Sequence, residues 1–385
     1  METKNSNPSF SSLAEELILK IFLLLPVSSL VCLSSVCKLW CSIISSRRFV
    51  ETHLINSRKN LPSLLTAFTY QVEYDHAMDV VYGGSFHNVY MNSHDDESVR
   101  IDLPERLSGT NRLFLVGSCD GLVCLVKSCM HFDDHVFLWN PLTKLFKYLP
   151  TPKKPSNYNL GFGFDSISGD YKILMIVCDN FFGKSSGFVA QLYSAKDDSW
   201  KEIEVPKTLE SFAIPPYSKC VYVQPGALYF QGTDELLSFN LDDEVFGVYP
   251  YPIPEYNGRS NVLEFEGSAA MIFESRYNGP VLWQLENVNG DVSWTKKIKL
   301  EVDFKMDREV LYLGAGRFVV QADHHDECRK SYDKFTSNLI IYDHRKRETK
   351  SVSPRIPDSK DTSLIKYTES LISLQGFESE FRRQK

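Results

Sequence analysis

Two short stretches concentrate side chains that can ligate a metal. His131, Asp133, Asp134 and His135 stand within five residues, and Asp323, His324, His325, Asp326, Glu327 and Cys328 are consecutive. Imidazole, carboxylate and thiolate groups of these kinds bind zinc. Consecutive polar residues between strands also make an ordinary solvated hairpin tip. That is the commoner case, and no metal is expected. Cys37 and Cys41 fall at i, i+4, which places them on one helix face, but they sit inside an apolar run with no histidine nearby. The chain has nine cysteines, an odd number, and no C-x-x-C pair, so they read as small hydrophobes in a reducing compartment. There is no G-x-S-x-G, no H-E-x-x-H and no phosphate-cradling glycine loop,. The adjacent acids Asp242 and Asp243 stand in a turn, where aspartate is ordinary,. No catalytic residue and no cofactor is expected.

The elements that carry these residues are bounded by composition. The 385 residues are 43% hydrophobic and 13% aromatic, enough for a large core and a small accessory domain. The balance of 42 basic against 49 acidic side chains leaves a net charge of −7, which argues against nucleic acid or an anionic membrane as the partner. The first ten residues hold no secretory pattern, and the apolar run 17–25 is too short to span a bilayer and is interrupted by Lys20,. A soluble protein of the cytoplasm, the nucleus or both is expected.

Residues 12–54 are helical in pattern. Ser12 and Glu15 match a capping box, and Leu13, Leu17, Ile18, Ile21, Phe22, Leu24 and Leu25 recur at helical spacing,. Pro26 ends that helix, Ser28 or Ser29 can cap a second carrying Leu30, Val31 and Leu33, and a third holds Val36, Cys37, Leu39, Trp40, Ile43 and Ile44. Three helices in about forty residues do not bury so much apolar surface by themselves. Either they form a lid on the main body, or their apolar face belongs to another protein.

The stretch resembles the F-box in its plant form, matched at Leu13, Glu16, Ile18, Ile21, Phe22, Leu25, Pro26, Val27, Ser29, Leu30, Val36, Cys37, Lys38, Trp40, Ile43, Ile44 and Ser46. It departs from that form at Ala14, where proline is frequent, and at Ser34–Ser35, where a basic residue is usual. The resemblance implies docking to a Skp-type adaptor and, through it, to a cullin. It points to Leu17, Ile21, Leu25, Pro26, Leu30, Val36 and Trp40 as the docking face. Some of these must be internal core, and the sequence does not sort them.

From Leu64 onward, short runs of Val, Ile, Tyr and Phe alternate with Gly, Pro, Asn and Asp, as in an all-β body,. Five segments pair an aromatic with a second anchor: Trp139 with Phe146, Tyr193 with Trp200, Phe239 with Phe246, Trp283 with Trp294, and Tyr342 with Thr349. Four of the spacings are seven residues, and the fifth is eleven. Each pair follows a hairpin signal at 120–121, 166–170, 225–226, 266–267 or 314–316. Two hairpins per unit make one propeller blade. Residues 64–103 supply a sixth unit, so six blades are expected, with seven next and a pair of β-sandwiches as the other architecture.

Short segments at 117–122, 138–141, 161–165, 170–172, 293–296 and 367–371 are similar, in that order, to plant F-box-associated domains, often labelled F-box/kelch-repeat. The double glycine of kelch blades stands only at Gly83–Gly84, outside the five units. The expected organisation is a disordered 1–10, an F-box at 11–54, a connector at 55–63, a β-propeller-like substrate domain at 64–376 and a polar tail at 377–385. The resemblance implies a non-enzymatic receptor subunit that brings a protein substrate to a Skp–cullin–F-box ubiquitin ligase. Its substrate loops would come from 132–135, 181–186, 251–259 and 324–333. A propeller hydrolase, with carboxylates converging at strand ends, and a scaffold using the F-box for adaptor binding alone remain as alternatives. The strand-like run 365–374 is expected to close the ring against residues near Leu64.

Overall fold

The computed structural model describes residues 10–377 except 61, 75–79, 91–96, 105–111, 129–133, 151–157, 179–187, 210–211, 213, 216–217, 254–257, 275–278, 289–290, 303–308, 324–336 and 353–360. Four helices come first: Phe10–Phe22 (α1), Val27–Leu33 (α2), Lys38–Ile44 (α3) and Arg47–Ser57 (α4). The fourth, for which no helical run was expected, spans the end of the expected F-box and the start of the expected connector at 55–63. Ser46 caps it, accepting from the Phe49 N–H at 3.3 Å, and Phe49, His53 and Leu54 form its buried stripe. Two caps also differ from expectation. The first helix already begins at Phe10, so Ser12 lies within it. Pro26, extended at φ −65°, stands at the N-cap of α2, with Ser28 and Ser29 inside the helix.

The strands make six four-stranded antiparallel sheets among the described residues. The second blade contains Arg112–Cys119 (β4), Leu122–Ser128 (β5), His135–Asn140 (β6) and Leu145–Tyr148 (β7). The third contains Tyr158–Asp165 (β8), Asp170–Cys178 (β9), Phe188–Ser194 (β10) and Ser199–Ile203 (β11). The fourth contains Cys220–Val223 (β12), Ala227–Gln231 (β13), Glu235–Asn240 (β14) and Val245–Pro250 (β15). The fifth contains Arg259–Phe265 (β16), Ser268–Glu274 (β17), Val281–Val288 (β18) and Asp291–Lys299 (β19), and the sixth Val310–Gly314 (β20), Arg317–Asp323 (β21), Ser337–Asp343 (β22) and Glu348–Val352 (β23). The first blade is composite. Ser63–Tyr74 (β1), Val80–Tyr90 (β2) and Glu97–Ile101 (β3) receive Asp361–Tyr367 (β24) from the other end of the chain.

Each junction between neighbouring blades is filled by one apolar cluster. Leu138, Phe162 and Tyr193 join the second and third blades, Leu192, Phe230 and Phe239 the third and fourth, and Leu236, Met271 and Phe273 the fourth and fifth. The circuit continues through Phe265 and Phe318, then Leu64, Val319 and Leu364, and returns at Phe86 and Trp139. Six junctions for six sheets make a closed propeller and exclude two stacked sandwiches. No described helix is long and apolar enough to cross a membrane.

Trp139 and Phe146, Tyr193 and Trp200, Phe239 and Phe246, and Tyr342 and Thr349 are directly opposed cross-strand partners. A four-residue turn separates each pair of strands and produces the spacing of seven. The fifth blade differs, because its hairpin runs further out and its register shifts at Leu282. There Trp294 faces Leu285 while Trp283 faces Lys296, so these two tryptophans are not a pair. Gly83–Gly84 lies on β2 in the composite blade, and the other blades carry no double glycine.

Ring closure is by β24 on β1, with Ser63 opposite Tyr367 and Leu65 opposite Ile365. The closing strand ends at Tyr367, earlier than the run to residue 374 suggests. Residues 368–374 instead cross the rim where the inner strand of each blade, β4, β8, β12, β16, β20 or β24, ends. Asn140, wholly buried, turns both amide hydrogens to the Ser370 and Ile372 carbonyls at 3.0 and 2.9 Å.

The turns of that rim also hold an ionic chain: Lys172 to Asp165 at 2.7 Å and to Glu244 at 3.2 Å, and Lys201 to Glu244 at 2.7 Å. Burial opposes the Asp165 charge, but hydrogen bonds from Lys172 and Ser168 outweigh it and hold the carboxyl well below the usual range. Glu244 is lowered against its own burial by Lys201 and Lys172. A carboxylate depressed in the fold contributes stability that is complete above its unfolded pKa, near 4, and is lost as pH falls through the folded value. The urea midpoint should therefore fall as the solution is acidified below about pH 4, and Lys172→Met should flatten that dependence while lowering stability at neutral pH. Identical pH profiles for variant and parent would contradict the assignment. Closure has its own test. A chain ending at Phe377 should keep the cooperative melt of the full protein, whereas one ending at Lys360 should aggregate or become protease-sensitive; an unchanged melt of the shorter chain would refute closure by β24.

Candidate functional site

The helical module divides its apolar residues between two sides. Phe22, Leu30, Ile44 and Phe49 form its core. Phe22 meets Trp40 edge to face at 5.2 Å and Phe49 at 6.5 Å. His53, buried, bonds the Leu25 carbonyl at 2.9 Å through Nε2 and the Ser57 hydroxyl through Nδ1. Of the seven residues expected to dock an adaptor, Leu17 (58% exposed), Ile21 (56%), Val36 (61%) and Pro26 lie on the surface. Leu25 and Trp40 are half-buried and pack against the core. Leu30 is wholly buried, which places it inside the module and corrects its inclusion in the docking face. Sequence reasoning missed Leu24 and Leu39, both exposed. Leu17, Ile21 and Leu24 repeat at i, i+4, i+7, so the signal was present for Leu24.

This module is fixed to the propeller rim at which the inner strands end. Arg58, following α4, donates through Nε and Nη2 to one oxygen of Asp120, at 3.0 and 2.5 Å. Tyr171 on β9 donates its hydroxyl to the other oxygen at 3.1 Å. Burial, and then the Asp120 charge, pushes the Tyr171 phenol far up, which keeps it a donor. Asp120 occupies the turn between β4 and β5 with φ +54°, followed by Gly121 at +80°. A Cβ on Gly121 would fall 2.3 Å from the Ser370 hydroxyl oxygen, and that hydroxyl bonds the Asp120 carbonyl. The next residue, Leu371, packs into the helical core. One turn thus binds the helices, the third blade and the C-terminal segment.

The opposite rim, where the inner strands begin, is free of the helices. The strand ends flanking all four expected substrate stretches belong to it. Residues 181–186 and 324–333 lie outside the described residues, as do 132–133 and 254–257 of the other two. The two candidate metal clusters fall largely in the same gaps, with His131, Asp133 and 324–328 outside the described residues. Asp134 accepts from the Tyr158 hydroxyl at 2.5 Å, and His135 meets Tyr148 edge to face. No described group of three ligand-type side chains could hold a metal.

The channel between the rims brings Asp134, Glu264 and Glu309 to its wall. A hydrolase would have to draw on these three carboxylates. Each is already engaged: Asp134 with Tyr158, Glu264 in a salt bridge with Lys366, and Glu309 by the Leu364 N–H at 2.7 Å.

The family model described as an F-box domain matches residues 10–52, and that described as an F-box associated beta propeller domain matches residues 80–374. Among relatives, the Arabidopsis thaliana F-box protein At3g07870 is 25% identical over 321 residues, covering 75% of this chain and 72% of its own. Another Arabidopsis thaliana chain named for the F-box, At4g09190, is 28% identical over 296 residues, or 73% of this chain and 70% of that one. Of solved structures, TolB from Acinetobacter baumannii aligns with a TM-score of 0.47 and 10% identity over 84% of this chain and 74% of TolB.

The joint at Asp120 is open to a direct test. Arg58→Met removes the charged donor and leaves the buried carboxylate to the Tyr171 hydroxyl and the neighbouring Cys119 thiol. Because Arg58 is itself partly exposed, the cost should be about 1–2 kcal/mol. It should show as faster proteolysis and amide exchange in α4 with the propeller melt unchanged. Unaltered exchange in α4 would show that the helices are held without this pair.

Proposed function

The chain belongs to the F-box proteins that carry an F-box-associated β-propeller domain, and on that footing we propose that it is a substrate receptor of a Skp–cullin–F-box ubiquitin ligase. F-box domains generally bind Skp-type adaptors. The observation that carries the reading here is the apolar ridge of Leu17, Ile21 and Leu24, with Val36 and Leu39, left in solvent by a module whose inward residues are packed. An apolar patch of this kind marks a partner surface.

The adaptor would take this ridge, and a cullin would join through the adaptor. A protein substrate would meet the far rim of the propeller, where connections between strands stand on a rigid scaffold. The contribution is proximity: a substrate lysine and a charged ubiquitin carrier held in one complex react as if within one molecule. The thioester chemistry would belong to other subunits, and this chain would supply no catalytic group. The engaged state of Asp134, Glu264 and Glu309 supports that reading over a hydrolase. The complex would work in the cytoplasm, the nucleus or both. A scaffold role without ubiquitin transfer differs in one respect, since it predicts adaptor binding without a cullin in the recovered complex.

Leu17→Asp with Ile21→Asp places two charges in the proposed contact at positions exposed in the free chain. Adaptor affinity should fall more than tenfold, because a charge buried without a partner is costly, while the propeller melt stays as in the parent. Leu30→Asp should also abolish binding, but by unfolding the helical module, seen as lost helical circular dichroism. Co-purification of the double surface variant with a Skp-type adaptor at parental yield would overturn the docking surface.

A further inference from the structure

The central channel carries groups that neither the adaptor ridge nor the blade junctions use. Its cavity is about 270 Å³, at the lower end of small-molecule sites, which run from about 300 to 1,000 Å³. Its sides differ in charge. Toward the fourth, fifth and sixth blades, each basic group has its answer. Lys366 pairs with Glu264, and Lys219 donates to the Val310 carbonyl at 3.0 Å with Glu309 as its nearby opposite charge. Glu309 in turn accepts from the Leu364 N–H at 2.7 Å. Asn159 of β8 is committed as well, its Oδ1 accepting from the Ser218 N–H at 2.6 Å.

The side formed by the second and third blades is apolar, with Phe114, Val126, Leu160 and Phe162. Phe114 and Val126 are opposed on β4 and β5. Leu160 and Phe162, two apart on β8, share one face,. A single carboxylate lines the cavity beside them. Asp134, immediately before β6, accepts the Tyr158 hydroxyl at 2.5 Å through Oδ2, so the bond crosses from the start of the third blade to the second. Val136, two residues on, packs into the same junction as Tyr158. Lys127 and His135, opposed to each other in register, alternate to the other face of the sheet,. There Leu113, the other partner of Lys127, packs toward the first blade.

Asp134 is half-buried. Its Oδ1 accepts no hydrogen bond from a described residue, and it is not among the orphan polar atoms closed off from solvent. Among the described residues, no lysine, arginine or histidine forms an ion pair with this carboxylate. An accessible anionic oxygen beside apolar walls attracts a cation more strongly than it would in bulk water. Phe114 and Tyr158 bring aromatic rings to the same cavity, and ring faces attract cations. A metal ion would need further ligands, and no described group of three ligand-type side chains supplies them. The complement is an ammonium on an apolar body. We propose that the channel binds a small organic amine, its ammonium received by Asp134 Oδ1 and its apolar body lying against Phe114, Val126 and Leu160. The free amino terminus of a peptide that begins with an apolar residue offers the same chemistry. The site stands independently of the adaptor reading, since every group in it belongs to the propeller.

The test uses the full chain, alone or with its adaptor, and ligand-detected NMR with phenethylamine, phenethyl alcohol, and a peptide beginning with Phe in free and acetylated forms. Phenethylamine should bind saturably at one site with a Kd of about 1 mM or tighter, and the alcohol at least about tenfold more weakly. Asp134→Asn keeps an oxygen for the Tyr158 hydroxyl and removes the charge. It should weaken the amine at least about tenfold and spare the alcohol, with the melting temperature unchanged. Tyr158→Phe removes the hydroxyl, leaves the carboxylate and the ring, and should keep the amine bound. Binding of the free peptide without phenethylamine would support the carboxylate site and assign it to a chain terminus; binding of phenethylamine without the peptide would assign it to a free small amine. Equal affinities for the charged and uncharged member of each pair, no saturable binding by either amine, or full amine affinity in Asp134→Asn would overturn the proposal. Loss of amine binding in Tyr158→Phe but not in Asp134→Asn would overturn it too. A solvated carboxylate bonded to Tyr158 would then account for the site.

Discussion

The first blade has its full four strands only when the two ends of the chain meet within it. Here that condition is met by seven residues, Asp361–Tyr367, lying along Ser63–Thr69. An open ring would expose a hydrogen-bonding edge to other chains and strip the apolar cover from Leu64, Val89 and Leu364. The same segment then continues under the rim. Asn140 holds its carbonyls, Ser370 meets Asp120, and Leu371 enters the helical core. Closure of the propeller and attachment of the helices are therefore one structural event. Gly121 permits it, since any side chain there would meet Ser370.

Polarity of the molecule follows from this arrangement. The helices occupy the rim where the inner strands end, stapled by Arg58 on Asp120. Their outward ridge keeps Leu17, Ile21 and Val36 in water, at an energetic cost that a partner would recover,. The other rim is left to the long connections and to the mouth of the channel. An adaptor at one end and a cargo at the other would be held apart by a rigid ring, which suits a receptor whose task is to set a distance.

Much of this was legible in the sequence, and the reason is local geometry. Four aromatic pairs lie seven residues apart because a four-residue turn returns the chain to the opposed position. The turns end on Lys144, Asp198, Glu244 and Arg347, all at φ between 52° and 58°. No glycine marks those positions, so that regularity was not readable. In the fifth blade the hairpin is longer and its register shifts at Leu282, and a pattern built on one turn length paired the wrong tryptophans. The helical ridge was visible as spacing, but spacing does not say which side of a helix meets its own core. Leu30 stood among the docking candidates for that reason, and Leu24 was passed over. The fourth helix was hidden by its polar composition, with three apolar-facing positions among charged neighbours. The channel groups were unreadable altogether. Asn159, Lys219 and Glu309 come from three blades, and only closure of the ring brings them around one channel.

The central claim is that the ridge on α1–α3 is the docking surface and that the propeller is not. Hydrogen–deuterium exchange of the full chain, with and without a Skp-type adaptor, tests it most directly. The account predicts slowed exchange in the segments around Leu17, Ile21 and Val36 on adding adaptor, with the β4–β5 and β8–β9 hairpins unchanged. Protection appearing on the propeller rims, with the α1–α3 segments unaltered, would contradict it.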